Sequence, residues 1–189
     1  MPSRCRFATL LIAVAGLTAL AACKSPQELP NAQIPNTVDT VTLYALNGTP
    51  VGTPSAYALI GPKVVDVGVP PPVFDFAFNI DGDPVLMPSG TFPGLPNVAG
   101  LQRATSSTFG LILTAPIDGY VIDKPLVIGP EALVLMRSAT FLCADGTSHS
   151  LYGKLHVLDI SVTARTVRFE VMVDQNCGYL SLAPGLPVQ

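Results

Sequence analysis

The chain is short of charge, of histidine and of familiar catalytic motifs. Asp, Glu, Lys and Arg make up only 12% of its 189 residues and hydrophobic residues 49%, which excludes a disordered polar chain. The net charge of -3 argues against nucleic acid as a partner, because binding phosphates needs a basic face. With 16 glycines and 19 prolines, helix breakers are too frequent for a helix bundle or coiled coil. There is no Gly-x-Ser-x-Gly elbow, no Gly-rich phosphate loop between strand and helix, and no Cys-x-x-Cys pair. The two histidines, His149 and His156, have no third zinc ligand suggested by spacing. Asp81-Gly82-Asp83 offers two carboxylates but lacks the spacing of a calcium loop and reads as a turn. Asn47-Gly48-Thr49 matches a glycosylation sequon and also reads as a turn. The residues therefore predict no catalytic site, no metal and no cofactor.

What is present begins at the N-terminus. Arg4 and Arg6 precede an uncharged apolar run over 7–22, shorter than the roughly 20 residues a membrane-crossing helix needs. A positive start, a short apolar run and small residues at its end describe a secretory signal. The run closes on Leu20-Ala21-Ala22-Cys23. This resembles the lipobox of bacterial lipoproteins, an aliphatic residue and two small ones before a cysteine. The resemblance implies cleavage before Cys23 and a diacylglyceryl thioether on its sulfur, with the freed amine commonly acylated as well. Several acyl chains make a stable anchor where one is marginal. The alternative is an ordinary secreted protein with a free Cys23. In the sorting pattern of two-membrane bacteria, an aspartate after the cysteine favours inner-membrane retention; Lys24 stands there instead, which implies the outer membrane.

Residues 1–22 are thus expected to be a signal peptide, residues 23–37 a lipidated cysteine and flexible tether, and residues 38–189 one domain. The stretch 24–37 is polar, with three prolines and no hydrophobic period. The remainder is long enough for one real core. Period-two patterning and turn signals predict strands over 40–46, 63–67, 73–80, 85–87, 101–105, 109–114, 120–122, 126–128, 132–143, 154–162 and 167–173. Phe74, Phe76, Phe78 and Ile80 alternate with Asp75, Ala77 and Asn79, which places three phenylalanines on one face. The last two strands read as a hairpin, with a bulge where the pattern slips between Val157 and Leu158. Segments 54–60 and 131–135 read as helical turns. The fold expectation is all-β, a single antiparallel sandwich, with a barrel-like closure as the alternative.

Four cysteines remain to be sorted. Cys5 leaves with the signal and Cys23 takes the lipid. Cys143 and Cys177 are left as a pair in a chain bound for an oxidising compartment, and a structural disulfide is expected between them. The alternative is two separate buried thiols. More widely, the segments Leu43–Pro50 (LYALNGTP), Phe74–Asp81 (FDFAFNID) and Cys177–Pro187 (CGYLSLAPGLP) are similar to uncharacterised bacterial lipoproteins of about this length. That resemblance implies a shared domain and brings no activity, ligand or catalytic residue. The functional expectation is a lipid-anchored envelope protein acting as a non-catalytic structural or binding module, its partners the membrane and an envelope protein. Two alternatives stand: an accessory subunit of an envelope complex, and a hydrolase with an unrecognised site.

Overall fold

A computed structural model describes residues 29–68, 73–95, 98–106 and 108–188. Cys5, Cys23 and the signal-peptide expectation lie outside these residues. The described chain forms two five-stranded antiparallel sheets packed face to face. The first has the order β1 (Val38–Tyr44), β12 (Thr166–Asp174), β11 (Tyr152–Ser161), β8 (Leu133–Arg137), β6 (Gly100–Arg103). The second has the order β3 (Lys63–Val65), β2 (Ala56–Ala58), β4 (Phe76–Asp81), β5 (Asp83–Pro88), β7 (Leu126–Val127). A small hairpin, β9 (Phe141–Leu142) with β10 (Ser148–His149), stands apart. The only helical elements described are two short 3-10 turns, Ser89–Thr91 and Phe109–Leu111. The architecture is an open sandwich, and neither sheet closes into a barrel.

The core follows from alternation on the longest strands. Val167, Phe169, Val171 and Val173 of β12 face inward, in register with Leu43 and Val41 of β1 and with Leu155 and Val157 of β11. The opposite sheet contributes Tyr57, Phe76, Phe78, Ile80 and Leu86. The two layers meet ring on ring: Phe169 lies 6.2 Å from both Tyr57 and Phe76, and Tyr57 lies 5.7 Å from Phe76. The register of the β11–β12 hairpin shifts between Val157 and Asp159, where the slip in the pattern predicts a bulge. On the edge strand β1, Asp39 sits on the inward row opposite Val171, a charge that discourages a further strand from pairing there.

Several expectations are corrected. Segment 54–60 contains strand β2, held between β3 and β4 with Ala56, Tyr57 and Ala58 all buried. Cross-strand pairing outweighs the weak helical signal of Pro54. Segment 131–135 leads into strand β8, with Glu131 in the left-handed region at φ 62. Segment 109–114 is a 3-10 turn followed by a single bridge from Thr114 to Ser181, and 120–122 makes only the bridge from Val121 to Leu101. The stretch 132–143 splits at Ser138, whose buried hydroxyl accepts from Leu151 N–H at 2.8 Å and donates to Ala139 O at 2.7 Å. Strand β4 is buried on both faces. Phe74 turns away from Phe76 into a second apolar layer with Ala56, Ala77 and Phe92, its ring edge-on to Phe92 at 5.1 Å. Asp75, on the face opposite the Phe row, is buried and accepts from Leu59 N–H at 2.6 Å and Ala139 N–H at 3.3 Å. Burial raises its pKa against the opposing pull of those two N–H groups.

The tether is also shorter than expected, because residues 30–36 are docked. Tyr179 Oη donates to Pro30 O at 2.9 Å and accepts from Ala32 N–H at 3.1 Å. Asn176 Oδ1 accepts from Gln33 and Ile34 N–H at 2.8 and 3.0 Å, and its Nδ2 donates to Ile34 O at 2.7 Å. Asn36 pairs with Gly185 through both backbone groups and donates from Nδ2 to Ser181 O and Ala183 O. The first and last segments of the domain therefore close on each other. Asn176→Ala should remove the partners of the part-buried Gln33 and Ile34 amides and the Ile34 carbonyl, at about 1–2 kcal/mol. A lower urea midpoint, with faster proteolysis at residues 30–36 and an unchanged strand spectrum by circular dichroism, is the expected result.

Candidate functional site

The outer face of the first sheet carries the densest group of ionisable side chains away from the core. The inward rows of β11 place Leu155 and Val157 in the core, so Lys154 and His156 emerge on the opposite face. The segment around the 3-10 turn Phe109–Leu111 folds over this face, and Ile112, Ala115, Leu133, Leu135 and Leu182 form a second apolar cluster beneath it. Lys154 is almost fully buried there, 1% exposed. Its Nζ donates to Phe109 O and Ile112 O, both at 2.8 Å, and lies 4.4 Å from the centroid of the Phe109 ring. Burial lowers the Lys154 pKa, and the charge of Glu170 opposes that shift. The ammonium binds the carbonyls of the first residue of the turn and of its C-cap, which holds the segment away from the straight strand its sequence suggests.

His156 continues the same row. Its Nδ1 lies 2.9 Å from Glu170 Oε1 and its Nε2 2.9 Å from Glu131 Oε2. Its ring lies nearly parallel to Phe109 at 6.3 Å. Glu170 is the cross-strand partner of His156 on β12. Glu131 arrives through its left-handed backbone, with its N–H donating to Val157 O at 3.0 Å. Burial acts to lower the His156 pKa, but the hydrogen bonds and charges of Glu170 and Glu131 together hold it above its ordinary value. A carboxylate at each nitrogen favours the protonated ring, in which both nitrogens donate. The Glu131 side chain is 77% exposed and the Glu170 side chain 29%, so the trio forms a surface ladder and not the floor of a pocket.

Other candidates lie elsewhere. Cys143 and Cys177 form a disulfide with Cα atoms 6.2 Å apart, joining the end of β9 to the chain just past β12. His149 sits on β10 opposite Phe141, in a different sheet from His156. Asp81-Gly82-Asp83 is the tight turn of the β4–β5 hairpin, with Gly82 at φ 75. Asn47-Gly48-Thr49 is also a turn, fixed by Thr49 Oγ1 donating to Ala45 O and Arg165 Nε donating to Asn47 O, both at 2.6 Å. Among the described residues no three His, Cys, Asp or Glu side chains are grouped to hold a metal ion. An open cleft of about 590 Å³ is lined by Arg103, Thr105, Ser106, Leu111, Leu113 and Thr114, among others. Leu111 and Leu113 at its rim are 72% and 52% exposed.

Neither Glu131 and Glu170 as partners of His156 nor the Phe109 and Ile112 carbonyls as partners of Lys154 were legible from sequence alone. The one available signal was polar residues at even spacing on β11 and β12, and it shows a shared face without showing what covers it. No protein-family model matches this chain, and no curated protein is similar to it.

Two measurements follow from these contacts. Because the folded pKa of His156 is raised above its unfolded value near 6.5, its stabilising contribution is complete below pH ~6.5 and is lost as pH rises through the folded pKa. Urea midpoints of the wild type should therefore fall between about pH 6 and pH 9 relative to those of His156→Gln, which lacks the titrating ring. Replacing Cys143 and Cys177 together by serine should cost about 3–4 kcal/mol on chain-entropy grounds. Scanning calorimetry should show this as a fall of roughly 10 °C in the unfolding midpoint.

Proposed function

We propose that this chain is a lipid-anchored protein of the cell envelope, attached through Cys23, whose domain acts as a non-catalytic structural or binding module. In an envelope with two membranes its place is the outer one. The observation that carries the reading is the pairing of Cys143 with Cys177. Once Cys5 leaves with the signal, that bridge leaves Cys23 of Leu20-Ala21-Ala22-Cys23 as the one cysteine free to take a lipid. A disulfide also accords with an oxidising compartment, where such bonds persist. Both nitrogens of His156 lie 2.9 Å from a carboxylate, an arrangement that supports a bracing role for this ring.

A second reading, an accessory subunit docked on an envelope complex, is favoured by one feature. Leu111 and Leu113 stand exposed beside the open cleft, and soluble monomers seldom present contiguous apolar patches.

Cys23→Ser should abolish membrane attachment. Cells expressing wild type and variant are fractionated after labelling with a fatty-acid probe. The wild type is expected to label and pellet with membranes, and the variant to do neither. A variant that still labels and pellets would overturn the anchor.

A further inference from the structure

The anchor proposed above has a geometric consequence. Pro30 is already fixed to the domain by Tyr179, and residues 33–36 by Asn176 and Gly185. From Cys23 to Pro30 the chain reaches at most about 25 Å, at roughly 3.5 Å per residue. The domain is longer than this leash, since the nine residues of β12 alone span about 30 Å. Asp174 and Asn176 lie at one end of β12, beside the docked residues 30–36. The β11–β12 turn with Val162 lies at the other. A leash this short holds the first end toward the bilayer.

That end presents apolar side chains to solvent. Ile34, held by Asn176, is 42% exposed. Leu142, next to the bridged Cys143, is 71% exposed. Leu186, next to the Gly185 that pairs with Asn36, is 60% exposed. Asp174 at this end is fully buried, and the exposed Asp145 of the β9–β10 turn directs its carboxylate onto Thr147 N–H and Oγ1 at 2.9 and 2.6 Å. We infer that this pole, with Ile34, Leu142 and Leu186 projecting from it, is a membrane-docking face that rests on the lipid surface carrying the anchor. The inference depends on lipidation at Cys23. The occupant is a bilayer and not a protein because the leash sets a bilayer within reach of this pole. The three side chains also come from separate loops, which suits shallow insertion among headgroups better than a fitted protein groove.

The test uses full-length lipidated protein in protein-free vesicles of phosphatidylethanolamine and phosphatidylglycerol. Single variants Leu186→Cys, Leu142→Cys and Val162→Cys each carry an environment-sensitive dye. Dyes at 186 and 142 should shift to the blue and be quenched by headgroup spin labels several-fold more than the dye at 162. A version lengthened by twenty Gly/Ser residues between Ser25 and Pro26 should keep that contrast if the face itself binds lipid. Equal quenching at all three sites, or loss of the contrast on lengthening, would overturn the docking face. Protection in native membranes but not in vesicles would overturn it too, by showing a protein on that pole. Mass spectrometry of the N-terminal peptide reports lipidation separately. If Cys23 carries no lipid, the anchor reading fails alone, and binding of the soluble protein to the same vesicles, read by the same dyes, decides the face.

Discussion

The structure depends on the contact of Phe169 with Tyr57 and Phe76 across the gap between the sheets. Neither sheet could remain folded alone, because each would expose a continuous apolar face to water. Fully burying one aromatic side chain contributes about 2–3 kcal/mol, and ring pairs at these separations add to that. Phe169 also sits at the middle of β12, which pairs with β1 on one side and β11 on the other. The longest strands and the deepest packing thus share one residue, and the shorter strands of the second sheet are ordered against that surface.

A second set of constraints gathers at one end of the sandwich. Asn176, the Cys143–Cys177 bridge, Tyr179 and the Asn36–Gly185 pair join the first segment of the domain to the last. Asp174 beside them is buried, and burial raises its pKa against hydrogen bonds from Asn176 and Asn36. Asp75, which ties the β2 end to the Ser138 corner, is shifted in the same direction by burial. Carboxyls of this kind favour the fold while protonated, and their contribution is lost as pH rises through the folded pKa. This is the reverse of a salt-bridged carboxylate.

The ionisable residues with the closest mutual contacts lie on the outer face of the first sheet, and their geometry is that of a clasp. Lys154 holds a covering segment by its carbonyls, and His156 is braced by Glu131 and Glu170. These contacts account for the covering of a sheet face that would otherwise expose Leu133 and Leu135. The proposed role of the protein therefore rests on its anchor and its surfaces and not on this cluster. The pole where the first and last described segments meet and the rim of Leu111 and Leu113 are the regions through which the proposed envelope module would act.

The fold class, the pairing of Cys143 with Cys177, and the β11–β12 hairpin with its bulge were legible in the amino-acid pattern. Each rests on a local signal: period-two alternation, turn chemistry, or the elimination of other cysteines. The lipobox reading of Cys23 is local in the same way. Long-range contacts, by contrast, make 56–58 a strand, bend 109–114 over Lys154, dock residues 30–36 and bury Asp75. Tyr57 and Ala58 are buried by strands distant in the chain, and the bend at Phe109 is set by an ammonium about 45 residues away. Short segments with weak propensity take the conformation that their distant neighbours can hydrogen-bond and bury, and no window of sequence contains those neighbours.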